Sequence, residues 1–114
     1  MIRVALYARL KPGAGPEYKR LHDAVPTDYP DLAAAIREAG IDREVVFTSD
    51  STLFVYAEVS DVGAYPRLFA QPVHDRWAEL LAPLMEDRPD GLPDVRIMDN
   101  IWELDLTVDP PVVR

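Results

Sequence analysis

Cysteine is absent from this chain of 114 residues, and histidine occurs only twice. The first absence excludes disulfide bridges, thiol nucleophiles and cysteine-built zinc sites. Two histidines do not build a His-rich metal site by themselves, so the sequence predicts no metal centre. It also lacks a glycine-rich phosphate loop and a nucleophile elbow. Several common kinds of catalytic centre are therefore excluded.

Long hydrophobic runs are missing as well. The N-terminal stretch has no apolar segment of signal-peptide length, and no run reaches the ~18 apolar residues of a membrane span. We therefore predict a cytoplasmic protein without a membrane partner. Acidic residues outnumber basic ones by 20 to 12, which gives a net charge of −8. Because nucleic-acid binding needs a basic face, nucleic acid is not a predicted partner.

What is present is an ordinary globular composition, 48% hydrophobic and 28% charged, at a length typical of one domain. We predict a single domain over 1–106 and an extended C-terminal tail over 107–114. Residue patterns predict these elements in chain order: strand 2–10, a helical segment from 16 broken at Pro26, helix 29–39, strands 43–48 and 52–59, helices 62–70 and 72–85, loop 86–93 and strand 95–106. The order β-α-β-β-α-β predicts an α+β, ferredoxin-like fold.

The first predicted strand is apolar on both of its faces. Val4, Leu6 and Ala8 alternate to one side, and Ala5 and Tyr7 to the other. Helices cover only one face of a ferredoxin-like sheet, so the second apolar face needs another cover. We predict that an identical subunit packs there with two-fold symmetry, which gives a homodimer.

Tyr18 and His22 stand four residues apart in the first helical pattern. Side chains at this spacing share a helix face, with Cβ atoms roughly 5–6 Å apart. An imidazole exchanges protons near neutrality, and a nearby phenol hydroxyl can orient it or bind a ligand. We predict that this pair is the catalytic centre. The alternative is an ordinary surface or hydrogen-bonded helical histidine.

Other aromatic residues are candidates for binding a small-molecule substrate. His74 lies three residues before Trp77, and indole and phenol rings offer flat apolar surfaces with one polar atom each. We predict substrate contacts for Trp77, His74, Tyr29 and Tyr7. Pattern alone also permits simple core packing for each of them, and for Trp102 in the last strand the core is the prediction.

A set of residues resembles the L-rhamnose mutarotase family from residue 1 to about residue 104. They are Pro12, Glu17, Tyr18, His22, Pro30, Asp31, Leu32, Gly40, Leu53, Phe54, Arg76, Trp77, Met85 and the run Ile101, Trp102, Glu103 and Leu104. The resemblance implies a cofactor-free dimeric α+β barrel that interconverts the anomers of L-rhamnose. It also implies that His22 is the catalytic histidine, that Tyr18 lines the sugar site and that Trp77 forms an aromatic wall.

This chain departs from the family pattern near the implied site. Leu21 stands where members usually carry Arg, Tyr29 where they carry Trp, and Ala78 where a second Trp follows the first. An insertion that includes Pro26 lies between His22 and Tyr29. These departures indicate a divergent member. They leave two alternatives to the sugar isomerase: a cofactor-free cyclase or monooxygenase acting on a small apolar or polyketide-like substrate, and a non-catalytic dimeric binding module.

Overall fold

The structure of the protein is a computed structural model that describes residues 2–87 and 94–114. Four strands form the main sheet: β1 (Ile2–Arg9), β2 (Ile41–Ser49), β3 (Thr52–Val59) and β4 (Arg96–Met98). They are antiparallel to their neighbours in the order β2-β3-β1-β4. This order places the first strand in the middle of the sheet.

Helices pack on one face of this sheet. They are α1 (Gly15–Asp23), α2 (Val25–Asp28), α3 (Pro30–Glu38), α4 (Ala64–Phe69) and α5 (Pro72–Leu81), followed by a 3₁₀ turn at Ala82–Leu84. Proline stands in the first turn of four of the five, where its missing amide costs no hydrogen bond. The mixed architecture with an antiparallel sheet confirms the predicted α+β, ferredoxin-like fold. The helix predicted for 72–85 is shorter than expected because its last turn tightens into the 3₁₀ form.

The core lies between the helices and the covered face of the sheet. Leu6 and Ala8 of β1 and Leu53 and Ala57 of β3 are all buried there. Leu21 of α1, which sequence reasoning placed beside the site, is 5% exposed and packs in the helix layer with Leu32 and Trp77. Leu21 is therefore a core residue.

The opposite face of the sheet carries aromatic residues that no described element covers. Phe47 is 58% exposed and Phe54 41% exposed, and the Tyr7 ring meets Phe54 edge to face at 5.7 Å between centroids. This arrangement agrees with the alternation of apolar residues in β1. The open face is defined here by Ala5, Tyr7, Phe47 and Phe54.

The prediction for the C-terminal strand was wrong. Only Arg96–Met98 joins the sheet, whereas Leu104–Asp105 forms β5 and pairs with β6 (Val112–Val113) in a separate hairpin. The side chains of Asn100 and Asp105 accept hydrogen bonds from the backbone amides two residues further along the chain, at 3.1 and 2.9 Å. Such local bonds compete with a continuous ladder.

Two further expectations fall in the C-terminal region. Trp102 was predicted in the core, but it is 63% exposed because the strand that would have buried it is interrupted. The loop predicted for 86–93 lies for the most part outside the described residues, which omit 88–93.

Candidate active site

A cavity of about 340 Å³ lies between the covered face of the sheet and the helices. Its volume is in the range of small-molecule sites. Most of its wall is apolar, with Leu, Ile, Val and Phe side chains from the sheet and from α3, α4 and α5. Polar groups on the wall are few, namely Tyr18, His22, Glu44, Tyr65 and His74, with Trp77 beside them. A few polar groups in an apolar cleft are typical of a ligand site.

His22 is held by the main chain of its own helix. Its Nδ1 lies 2.7 Å from the carbonyl oxygen of Tyr18, one turn earlier. A carbonyl only accepts hydrogen bonds, so Nδ1 carries the proton and Nε2 is left for proton exchange. Burial lowers the pKa of His22, and the bond to the Tyr18 carbonyl partly offsets this effect. The imidazole is therefore mostly neutral near pH 7, with a fixed tautomer.

Tyr18 supports the imidazole with its ring. The two rings are stacked, with centroids 3.9 Å apart and planes 27° apart. Burial raises the pKa of Tyr18 to about 12, and the charge of Glu44 adds to this shift. The phenol therefore stays protonated near neutrality and can donate a hydrogen bond. The hydroxyl of Tyr18 was predicted to orient the imidazole or to bind a ligand. The structure shows that the carbonyl oxygen of Tyr18, not its hydroxyl, contacts the imidazole Nδ1.

Trp77 of α5 meets the other side of His22. Its ring stands edge to face at 5.0 Å from the imidazole and at 5.3 Å from the ring of Tyr29. Trp77 is 9% exposed, so it combines core packing with a position on the cavity wall. Tyr29 lies behind it and lines a second hollow of about 260 Å³ together with Arg76. The structure thus separates Tyr29 from the cavity that contains His22.

The two remaining candidates are placed differently from each other. His74 lines the same cavity as His22 and packs on Phe69, with ring centroids 4.8 Å apart, and burial lowers its pKa. Tyr7 borders the cavity, but its neighbours Leu6 and Ala8 occupy the covered face. Because strand residues alternate, the Tyr7 ring belongs to the open face, where it packs on Phe54.

Sequence reasoning missed two polar residues of the cavity. Glu44 lies on edge strand β2, and Tyr65 on α4 donates a hydrogen bond from its hydroxyl to Glu44 Oε1 at 3.0 Å. The available signal was alternation in β2, which puts Glu44 on the same face as Val46. The partner was harder to find, because Tyr65 is 21 residues away in sequence.

Ala78 also lines the cavity, directly after Trp77. Its small side chain covers less of the wall than a second indole would. In residues 2–87 and 94–114, no three His, Asp or Glu side chains are grouped closely enough to hold a metal ion. None of the helices described has both the length and the apolar character needed to cross a membrane.

Three comparisons with known proteins point to the same family. A family model described as L-rhamnose mutarotase matches residues 3–104. The L-rhamnose mutarotase of Burkholderia orbicola is 34% identical over 107 residues, which cover 92% of this chain and 100% of that protein. The crystal structure of an L-rhamnose mutarotase from Formosa agariphila superimposes with a TM-score of 0.72 at 22% identity, covering 92% of this chain and 100% of that one.

A second class of solved structures shares only the fold. A cofactor-independent oxygenase from Streptomyces nogalater superimposes with a TM-score of 0.56 at 16% identity, covering 88% of this chain and 94% of that one. At this level the likeness carries no information about activity. The sequence match, by contrast, extends over residues 3–104, which include every residue from Tyr18 to Trp77. The chain belongs to the L-rhamnose mutarotase family.

Proposed function

We propose that this chain is an isomerase that interconverts the α and β anomers of L-rhamnose or a related 6-deoxy sugar, with His22 as its acid–base group. The observation that carries the proposal is the fixed imidazole inside the cavity. Its Nδ1 is bonded to the Tyr18 carbonyl, and its Nε2 is left for the substrate. Family membership supports the same reaction.

The chemistry requires proton transfer and nothing else. A base takes the proton from the anomeric hydroxyl, the C1–O1 bond becomes a carbonyl, the bond from C1 to the ring oxygen breaks, and an acid protonates the ring oxygen. Rotation about the C1–C2 bond and the reverse transfers give the other anomer. No electrons are exchanged with a redox partner, so we propose that the enzyme works without a cofactor. One positioned acid or base typically contributes about 10²–10⁴-fold to the rate.

The cavity wall suits a deoxy sugar. Trp77 and the surrounding aliphatic residues offer apolar contacts to ring C–H groups and to a methyl substituent, while Tyr18 offers a neutral hydroxyl. His74 stands on the same wall and is proposed as a second hydrogen-bonding residue for the sugar. Trp77 provides the aromatic wall.

Saturation-transfer NMR or polarimetry on freshly dissolved L-rhamnose tests the proposal. We expect the wild-type protein to accelerate anomer exchange and His22→Ala to lose that acceleration without unfolding. If no 6-deoxy sugar exchanges faster than in buffer, the sugar isomerase is excluded. A ligand that binds His22→Ala unchanged, with no turnover by wild type, would indicate a binding module instead.

One observation favours a second candidate function, that of a cofactor-free cyclase or monooxygenase. The cavity wall is largely apolar, and Ala78 stands on it where a second indole is absent, which suits a flat apolar substrate. Two residues near the implied site are not on this cavity wall: Leu21, which departs from the family pattern, is in the core, and Tyr29, a predicted substrate contact, lines the second hollow. Oxygen uptake with polycyclic phenols, measured beside the sugar assay, distinguishes the two functions.

We also propose that the open face is the interface of a homodimer. Phe47 and Phe54 are exposed there, and apolar side chains of the C-terminal region, including Ile101 and Trp102, are exposed as well. Burying this surface against a second copy would remove it from water. Sedimentation equilibrium tests the dimer, with Phe47→Glu as the disrupting variant. The cytoplasmic location stays a prediction, which cell fractionation checks.

A further inference from the structure

Glu44 occupies the helix-covered face of the sheet at its edge. It stands opposite Ala57 in the β2–β3 ladder, and Ala57 is fully buried beneath the helices. Because facing residues in a ladder point to the same side, the Glu44 side chain points toward the cavity, which it lines together with His22. Strand β2 has a neighbour on one side only, so Glu44 as a residue keeps solvent access.

Tyr65 fixes one oxygen of this carboxyl group. Its hydroxyl donates to Glu44 Oε1 at 3.0 Å, and Tyr65 itself is 3% exposed in the core cluster that also contains Leu68. A phenol anchored in the core is a rigid donor. In the part of the chain that the structure describes, Oε2 of Glu44 accepts no hydrogen bond from the protein. One carboxyl oxygen is thus positioned, and the other is left for a ligand.

The electrostatic surroundings connect Glu44 with the catalytic helix. Desolvation raises the pKa of Glu44, and the hydrogen bond from Tyr65 partly offsets this shift. The negative charge of Glu44 in turn contributes to the raised pKa of Tyr18, whose ring is stacked on His22. The net effect is a pKa of Glu44 raised above the ordinary value of glutamate.

Anomer exchange needs two proton carriers. His22 is one of them, and the second is sought among the other titratable residues on the cavity wall. The pKa values of Tyr18 and Tyr65 are raised far above neutrality, so both phenols stay protonated. The groups that change charge at moderate pH are His22, His74 and Glu44. His74 rests against Phe69 with its pKa lowered by burial. Glu44, in contrast, is a base when it is ionised, and the hydroxyl of Tyr65 holds its carboxylate in place.

We propose that Glu44 is the second proton carrier of the mutarotase reaction, with Tyr65 as its positioning residue. This inference rests on the proposed function. Glu44 Oε2 accepts the proton of the anomeric hydroxyl as C1–O1 becomes a carbonyl, and protonated His22 donates from Nε2 to the ring oxygen as its bond to C1 breaks. The groups return these protons when the ring closes on the other face, so the cycle consumes nothing.

The pH profile follows from the pair. The active form combines an ionised Glu44 with a His22 that is protonated on both ring nitrogens, and it is the minor form near pH 7 because burial lowers the pKa of His22. Activity falls when Glu44 is protonated in acid and when His22 loses its Nε2 proton toward neutral pH. The profile of kcat/KM is therefore bell-shaped, with limbs that belong to the coupled pair. Tyr65 of α4 contacts Glu44 directly, and the other titratable groups that line the same cavity are Tyr7 of β1, Tyr18 and His22 of α1, and His74 of α5.

The experiment compares Glu44→Gln with Glu38→Gln in the L-rhamnose exchange assay. Glu38 is an exposed residue at the end of α3, so this control removes the same charge away from the cavity. We expect Glu44→Gln to lower kcat by ~10²–10⁴-fold and to abolish the acid limb of the pH profile, Glu44→Asp to recover part of the rate, and Glu38→Gln to behave as wild type. Tyr65→Phe should lower kcat less and shift the acid limb.

The outcomes separate this inference from the function on which it rests. If the wild-type protein accelerates anomer exchange in no sugar, both the proposed function and the role of Glu44 are overturned. An active wild type with an unchanged rate in Glu44→Gln, or with a raised KM and unchanged kcat, overturns the role of Glu44 alone. If Glu44→Gln does not fold, the wild-type profile decides: an acid limb in kcat/KM supports the proposal, and a flat acid side overturns it.

Discussion

The phenol ring of Tyr18 lies against the imidazole of His22, with centroids 3.9 Å apart, while the carbonyl oxygen of Tyr18 accepts a hydrogen bond from His22 Nδ1. One residue thus fixes both the plane and the tautomer of the imidazole, through its ring and its main chain. The hydroxyl takes no part in either contact. It is free to meet the substrate, and this separation of roles can be measured.

Tyr18→Phe removes the hydroxyl and keeps the ring and the carbonyl. We expect the NMR-measured pKa of His22 and the thermal midpoint to stay near the wild-type values. The KM for L-rhamnose should rise by about tenfold, the value of one hydrogen bond of ~1–1.5 kcal/mol. A shifted His22 titration in Tyr18→Phe would show that the hydroxyl does orient the imidazole.

His22→Gln should lose the acceleration by ~10²–10⁴-fold, since the amide neither donates nor accepts a proton in this pH range. Lys19→Gln is the control, because Lys19 is an exposed residue of the same helix that pairs only with Asp23 in the described structure. Exchange rates from saturation transfer, with circular dichroism as the check on folding, distinguish the variants. Equal rates in both would place the chemistry elsewhere.

The lowered pKa values of the two cavity histidines also predict how stability depends on pH. Because the folded protein favours neutral His22 and His74, the unfolded chain binds more protons once the pH falls below about 6.5. Their contribution to stability is therefore complete above that pH and declines as the pH falls through it. Thermal midpoints between pH 8 and pH 5 should fall less steeply in His22→Gln and His74→Gln than in wild type. Equal slopes would contradict the desolvated positions of these rings.

Leu21 provides a test of the core assignment. It is 5% exposed against Leu32 and Trp77, so Leu21→Ala should lower the free energy of unfolding by about 2–5 kcal/mol. Leu21→Arg should lower it further, because an unpaired charge would be buried. Urea denaturation measures both. If Leu21→Arg is as stable as wild type, this position tolerates the family's usual arginine and faces solvent.

Local patterns predicted the parts of the site that lie within one element. Helical spacing brought Tyr18 and His22 together, and alternation in β1 separated Tyr7 from Leu6 and Ala8. The Glu44–Tyr65 contact depends on how α4 packs over the edge strand, which no local period encodes. The prediction of the last strand was wrong because hydrogen bonds from backbone amides to the side chains of Asn100 and Asp105 compete with the strand ladder. A count of β-forming residues does not detect such bonds.

Ala78→Trp tests how the cavity wall beside Trp77 contributes to substrate binding. Ala78 lines the cavity beside Trp77, so we expect an indole at this position to extend the cavity wall. A new apolar contact of roughly 40 Å² with the sugar would add about 1 kcal/mol, so we expect a KM for L-rhamnose about fivefold lower. Glu79→Trp places the same residue at the next, exposed position of α5 and should leave KM unchanged. If Ala78→Trp instead weakens binding while Glu79→Trp does not, the substrate of this chain occupies the space that Ala78 leaves open. That space would then select a larger ligand than L-rhamnose.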